Sequence, residues 1–256
     1  MKDFSLFDLT GKTALITGSA RGLGYAVALG LGKVGARIVL NGRHRDTLKA
    51  AAGELKGKGL DVDYSVFDVT KEKEVEKKIT GIMSRYGGID ILVNNAGIQK
   101  RAPLAEFSEQ DWDSVMNTNL KGVFLVSKYT VRGMLKQKAG KIINICSLMS
   151  EVGRVTIAPY TASKGGVKML TKAMAVEWGS VNIQVNGIGP GYFETEMNTK
   201  LLEDAEFNNW VKSRTPAGRW GKPEELAGAA VFLASKASDY INGQIIYVDG
   251  GILAGL

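Results

Sequence analysis

A phenol and an ammonium stand four residues apart at Tyr160 and Lys164, inside a segment, Ala158 to Trp178, whose spacing predicts a helix. Four residues is about one turn, so both side chains share a face. A phenol titrates at about pH 10 in water, and an ammonium held beside it favours the phenolate. Tyrosine in that setting is a general acid or base. Ser147 ends an apolar run, Lys141 to Cys146, that predicts a buried strand. Its hydroxyl is placed to hold a substrate oxygen beside the phenol. Asn119 puts an amide inside a helical pattern, where it either shapes the helix by bonding its backbone or carries a water toward Lys164. Taken alone, Tyr-x-x-x-Lys is equally an ordinary surface pair on an amphipathic helix, so the elements around it decide.

Those elements alternate. Thr13 to Thr17 has strand length, Gly18-Ser19-Ala20-Arg21-Gly22-Leu23-Gly24 follows, and Tyr25 to Lys33 is helical. Glycines at 18, 22 and 24 let the backbone turn tightly against a pyrophosphate, whose charge then meets the free amides of a helix N-terminus. The spacing differs from the commoner dinucleotide fingerprint. Arg37 to Leu40 predicts the second strand, and where such folds place an acidic residue for the ribose hydroxyl this chain has Asn41-Gly42-Arg43. With no carboxylate there, and with Arg43 and Arg21 to hand, a 2'-phosphate meets positive charge. That favours NADP over NAD.

Helix is predicted for Asp46 to Gly57, strand for Val62 to Phe67, and helix for Lys71 to Tyr86 behind a Thr70 cap. Asp68 is read as an acceptor for an adenine amino group, or else as part of the turn before that cap. Ile89 to Val93 is the fourth strand, ending in Asn94-Asn95-Ala96-Gly97, where a cofactor can lie close to the backbone or the turn simply stitches strands together. One helix is predicted from Glu109 to Lys138. Beyond the central stretch come a strand at Ile183 to Ile188, a turn at Pro190-Gly191, mostly helix from Thr195 to Ser213, helix from Pro223 to Ser235, and a last strand at Gln244 to Val248. The alternation predicts one α/β domain over residues 1–256, a Rossmann-type doubly wound parallel sheet of about seven strands with helices on both faces.

Composition excludes other classes. With 256 residues, 45% of them hydrophobic, the chain can bury one large core. Cys146 is the single cysteine and His44 the single histidine, which leaves no internal disulfide, no histidine triad and no multi-histidine metal site. No metal site is expected. Met1 to Gly11 lacks a basic start followed by a long apolar run, and no later stretch reaches bilayer length, so a soluble, cytoplasmic protein with no membrane partner is expected. The formal charge of +7 is dispersed among glutamates, as in Lys71-Glu72-Lys73-Glu74, with no basic stripe carrying aromatics. An anionic small molecule is expected and nucleic acid is not.

Thr17-Gly18-x-x-x-Gly22-x-Gly24, Asn94-Asn95-Ala96-Gly97, Asn119, Ser147, Tyr160-x-x-x-Lys164 and Pro190-Gly191 together, in order and spacing over essentially the whole chain, resemble the short-chain dehydrogenase/reductase family. The resemblance implies that Tyr160 transfers the proton, Lys164 lowers its pKa and holds the nicotinamide ribose, Ser147 orients the substrate oxygen and Asn119 supports the relay. It implies a cofactor set of Gly18, Ser19, Arg21, Gly22, Leu23, Gly24, Arg43, Asp68, Val69, Asn95, Ala96, Gly97, Tyr160, Lys164, Pro190, Gly191 and Thr195. It also implies a dimer or tetramer. Within the family, runs such as Gln99 to Leu104 and Arg214 to Gly221 resemble members acting on sugar acids, so the substrate contacts are expected at Ser147, Tyr160 and, for the carboxylate, the candidate cations Arg101 and Arg154, each of which is alternatively a solvated or interface arginine. Gln99, Lys100 and Glu151 are weaker candidates for hydroxyl contacts. The same residues would serve another polyol, keto acid or acyl thioester. A nucleotide-sensing or RNA-binding protein is disfavoured by the intact Ser147, Tyr160 and Lys164.

Overall fold

The computed structural model describes residues 5–255, apart from the Met197 side chain, so residues 1–4 and 256 of the expected domain lie outside the described residues. In chain order the elements are β1 (Thr13–Ile16), α1 (Gly22–Lys33), β2 (Arg37–Gly42), α2 (Arg45–Gly57), β3 (Val62–Val66), α3 (Glu72–Tyr86) and β4 (Ile91–Asn94). Then follow α4 (Glu109–Met116), α5 (Gly122–Gln137), β5 (Gly140–Ile145), α6 (Ala158–Trp178), β6 (Ile183–Pro190), α7 (Thr199–Glu203), α8 (Ala205–Arg214), α9 (Ala227–Ala234) and β7 (Ile245–Val248).

All seven strands join one parallel sheet in the order β3-β2-β1-β4-β5-β6-β7. The central strands are apolar on both faces because helices cover both; Thr13, Ala14, Leu15 and Ile16 are all buried. Val27, Leu31, Leu48, Leu55 and Leu233 pack one face, and Val75, Ile79, Leu125, Met134 and Met174 pack the other. The chain reverses its direction of winding between β1 and β4, so the carboxyl ends of these neighbouring strands flank a crevice. The glycine turn, Asn95 to Gly97 and Ser147 all follow strand ends on that side.

The doubly wound sheet is thus as expected, and most boundaries agree to within a residue or two. Three local readings change and a fourth is refined. Thr70 does not cap α3: its hydroxyl donates to Asp68 Oδ1 at 2.8 Å, and Lys71 at the cap position makes no side-chain cap bond. The helix predicted from 109 to 138 is interrupted by a π-helical turn, Asn117–Lys121. Pro190 closes β6 instead of starting a turn, since no ladder donor is needed from it at the strand end. The segment after Thr195 divides into a 3-10 turn, Glu196–Asn198, then α7 and α8, because Asp204 starts a new helix by accepting from Phe207 N at 3.1 Å.

Candidate active site

Ser147 leaves β5 and caps a short 3-10 turn, Leu148–Ser150, in a reciprocal arrangement with Ser150. Ser147 Oγ accepts from Met149 N at 3.2 Å, which leaves its own proton for another acceptor. Ser150 Oγ accepts from Ser147 N at 3.3 Å and donates to Lys164 O at 2.9 Å. A single hydroxyl therefore ties the strand end to the helix that carries Tyr160 and Lys164. Serines three apart are the signal that would have revealed Ser150, which sequence reasoning missed.

Tyr160 sits in the first turn of α6, half-buried, and its hydroxyl bonds none of the described residues. Lys164 is 5% exposed, with its Nζ 5.7 Å from the centroid of the Tyr160 ring. That ammonium donates to Ile145 O at 2.6 Å, a carbonyl left over at the end of β5. The charge is thus held beside the phenol by a backbone group and needs no carboxylate.

Asn119 is fully buried in the π turn. Its Oδ1 accepts from Ile98 N at 2.8 Å, and its Nδ2 donates to Ile98 O at 2.9 Å and to Ser163 Oγ at 3.2 Å. Ser163 Oγ in turn donates to Tyr160 O at 2.7 Å. The amide bonds neither its own helix backbone nor Lys164; it joins the loop after β4 to the first turn of α6. A π turn inserts one residue into the helical repeat, which rotates the amide inward.

Among the expected cofactor residues, Gly18 and Gly22 adopt φ of +61° and +59°, the left-handed region that glycine enters without strain. A Cβ on Gly18 would stand 2.8 Å from Ala96 Cα, whereas one on Gly22 would meet nothing within 4 Å. The turn therefore presses on the Asn95 to Gly97 segment behind it and leaves open space in front, a cradle at the start of α1. Leu23 and Gly24 form the first turn of that helix. Asn95 stitches the segments together: its Nδ2 donates to Thr17 O and Gly18 O, both at 2.9 Å. Gly97 approaches Asn119, and Gly191 follows β6 with its N bonded to Val248 O at 2.9 Å. Thr195 precedes the 3-10 turn and makes no side-chain cap bond.

The other expected residues have these surroundings. Ser19 is fully buried, its hydroxyl donating to Ile16 O at 2.7 Å and accepting from Asn41 N at 3.0 Å, so it braces the turn from behind. Val69 is a buried core side chain against Gly122. Asp68 Oδ1 closes the turn before α3 by accepting from Thr70 N at 2.9 Å, which leaves Oδ2 for another donor. Arg21 pairs with Glu196 across the mouth of the crevice at 2.7 Å, an exposed contact of small worth. Arg43 is exposed and pairs with no described residue. Lys100 is paired with Asp111 at 3.2 Å, and Glu151 receives Lys168 Nζ at 2.6 Å on each oxygen and Tyr247 OH at 2.5 Å.

Arg101 and Arg154 do converge. Ala102 N donates to Thr156 O at 3.1 Å, with Thr156 at φ +69°, and this bond holds the two arginine segments together. Burial, then the Arg154 charge, pull the Arg101 guanidinium below its usual pKa. Arg154 Nη1 donates to Tyr192 OH at 3.4 Å and its guanidinium lies 4.2 Å over the Phe207 ring. Burial pushes the Tyr192 phenol up despite the nearby Arg154 and Arg101, and Tyr160 also acts on it. Tyr192 was missed in the sequence because only the fold brings it near Arg101, Arg154 and Tyr160.

The family model of the enoyl-(acyl carrier protein) reductases matches residues 18–253. The chain is 53% identical over 251 residues to a gluconate 5-dehydrogenase of Gluconobacter oxydans, covering 98% of each chain. It is 54% identical over 248 residues to a 5-keto-D-gluconate 5-reductase of Escherichia coli, covering 97% of this chain and 98% of that one. A crystal structure of a gluconate 5-dehydrogenase from Burkholderia cenocepacia, in complex with NADP and tartrate, superposes with a TM-score of 0.96 at 51% identity, covering 98% and 99%. With the seven-stranded sheet, the glycine cradle and the Ser147, Tyr160 and Lys164 cluster, these likenesses place the chain in the short-chain dehydrogenase/reductase family.

Proposed function

We propose that this chain is an NADP-dependent oxidoreductase that interconverts D-gluconate and 5-keto-D-gluconate. The observation that carries the reading is the Tyr160 hydroxyl, bonded to none of the described residues, on a ring whose centroid lies 5.7 Å from the buried Lys164 ammonium. The relatives named above, full-length and more than half identical, support this substrate, and the related crystal structure with NADP supports this cofactor.

The cradle at Gly18 to Gly24 fits a pyrophosphate, and the end of β2 fits a 2'-phosphate, with Gly42 offering no carboxylate and Arg43 unpaired. When bound, the nicotinamide supplies or accepts the hydride. The chain's own residues do the rest. Ser147 donates to the carbonyl oxygen and fixes it beside Tyr160, which delivers its proton as negative charge develops there. Lys164 stabilises the phenolate left behind, and Ile145 O keeps the ammonium from swinging away. Asn119, through Ser163, holds the turn of α6 that aims the phenol. Arg154 and Arg101 take the substrate carboxylate. In the oxidative direction every step reverses.

This reading brings with it a cytoplasmic homo-oligomer, a dimer or tetramer. Phe124 and Met169, large apolar side chains 45% and 60% exposed on α5 and α6, support a covered face. Light scattering on the purified protein tests it. The activity is tested by following NADPH absorbance with 5-keto-D-gluconate beside 2-keto-D-gluconate, fructose, an acetoacetyl thioester, and NADH in place of NADPH. Fastest turnover of 5-keto-D-gluconate with NADPH supports the assignment, and a faster carbonyl among the others would replace it.

A further inference from the structure

Lined by Leu148, the residue that follows Ser147, lies a cavity larger than a sugar acid requires. It encloses about 630 Å³ and none of the glycine-turn residues lines it, so this room is additional to the cofactor crevice. Pockets of this size hold drug-sized ligands. Its walls include Met149, Val152, Phe207, Trp210, Ile252 and Leu253, shared with Arg154 and Tyr192. Phe207 and Trp210 stack with centroids 5.4 Å apart and planes 22° from parallel, an aromatic pair in the cavity wall. Trp210 and Val152 remain 44% and 45% exposed. A chain of hydroxyls gains little by covering such a surface, while an alkyl or aryl group gains from leaving water. Of the charged residues that line the cavity besides Arg154, Asp204 is engaged in capping α8, and Glu206 and Arg214 complete the set.

We propose that the site also reduces 5-oxo acids whose carbonyl carries an alkyl or aryl group where 5-keto-D-gluconate carries hydroxymethyl, with that group lying on Phe207 and Trp210. The proposal rests on the sugar-acid reading for one thing, the spacing between carboxylate and carbonyl. The Arg154 guanidinium already covers Phe207 at 4.2 Å, so the group meets this pair chiefly at the half-exposed Trp210. The chemistry is unchanged. A hydride from NADPH adds to the carbonyl carbon, the carbonyl π electrons pass to oxygen, and that oxygen takes the Tyr160 proton. The products are a 5-hydroxy acid and NADP⁺, and water reprotonates the tyrosine.

The test follows NADPH absorbance with 5-oxohexanoate, 5-oxodecanoate and 5-oxo-5-phenylpentanoate, with 5-keto-D-gluconate in parallel. A fully buried methylene is worth about fourfold, so kcat/KM for 5-oxodecanoate is expected to exceed that for 5-oxohexanoate by at least about tenfold. Trp210→Ala should reduce this ratio to below about threefold, and Val152→Ser, at a second exposed wall position, should also lower it. A flat or falling series overturns the proposal, as does an undiminished ratio in both variants. If the graded series is seen but 5-keto-D-gluconate is not reduced, the sugar-acid reading fails and the apolar subsite stands. If 5-keto-D-gluconate is reduced and the series is flat, the reverse holds.

Discussion

Asn119 and Ile98 pair as two strand residues would: Asn119 Oδ1 accepts from Ile98 N at 2.8 Å and its Nδ2 returns a bond to Ile98 O at 2.9 Å. A side-chain amide thus satisfies the backbone of the loop that follows the cofactor segment. Asn119→Leu keeps much of the volume and leaves both Ile98 groups without partners. Each buried unsatisfied group costs about 1 to 3 kcal/mol, so a loss of about 3 kcal/mol is expected in urea unfolding. Turnover should fall as well, because the Ser163 link to Tyr160 goes with it. Unchanged stability would mean that the loop does not depend on this pair.

Gly42→Asp places a carboxylate where a 2'-phosphate would bind. The substitution fits, since a Cβ there meets Leu48 at an ordinary 3.6 Å and Gly42 does not occupy the left-handed region. Like-charge juxtaposition costs several kcal/mol, so the ratio of kcat/KM for NADPH to that for NADH should fall by at least about tenfold. An unchanged ratio would move the phosphate site elsewhere.

Cys146 sits beside Ser147 yet is 1% exposed, and burial pushes its thiol up to about 11. The reactive thiolate is therefore scarce at neutral pH. Iodoacetamide at pH 8 should label Cys146 only after unfolding, as read by intact mass. Rapid labelling of the native protein would show that the strand end is open.

Hydrogen bonds from Lys168 and then Tyr247 hold the Glu151 carboxyl below its ordinary 4.5. A depressed carboxyl contributes stability above its unfolded value and loses it as pH falls through the folded one. The contribution is at most ~1 kcal/mol, because the pair is partly exposed. Wild type should therefore melt slightly above Glu151→Gln from pH 7 down to about 5, with the gap closing below pH 4.5. A gap that widens on acidification would contradict the sign.

How much of this was legible beforehand differs by residue. The sheet was, because β1, β4, β5 and β6 are short apolar runs of strand length bounded by glycine or turn residues and separated by longer stretches of helical spacing. Tyr160, Lys164 and Ser147 were, because one helical turn and one strand end fix them locally. The π turn at Asn119 was not, since an inserted residue hardly disturbs the apolar spacing of a long helix. Nor was the bracing role of Ser19, whose partner Asn41 is twenty-two residues away. The aromatic pair of Phe207 and Trp210 opposite Arg154 depends on α8 folding back over the Ser147 turn, a tertiary contact that no local pattern encodes.

The most direct test of the central claim compares Tyr160→Phe with wild type in two readings, NADPH-dependent reduction of 5-keto-D-gluconate and NADPH binding by fluorescence. Removal of the one transferable proton should lower kcat by at least about a thousandfold while the dissociation constant for NADPH stays within about threefold, because the cradle at Gly18 to Gly24 lacks no contact. Turnover by the variant near the wild-type rate would show that another group carries the proton and that the site has been misread.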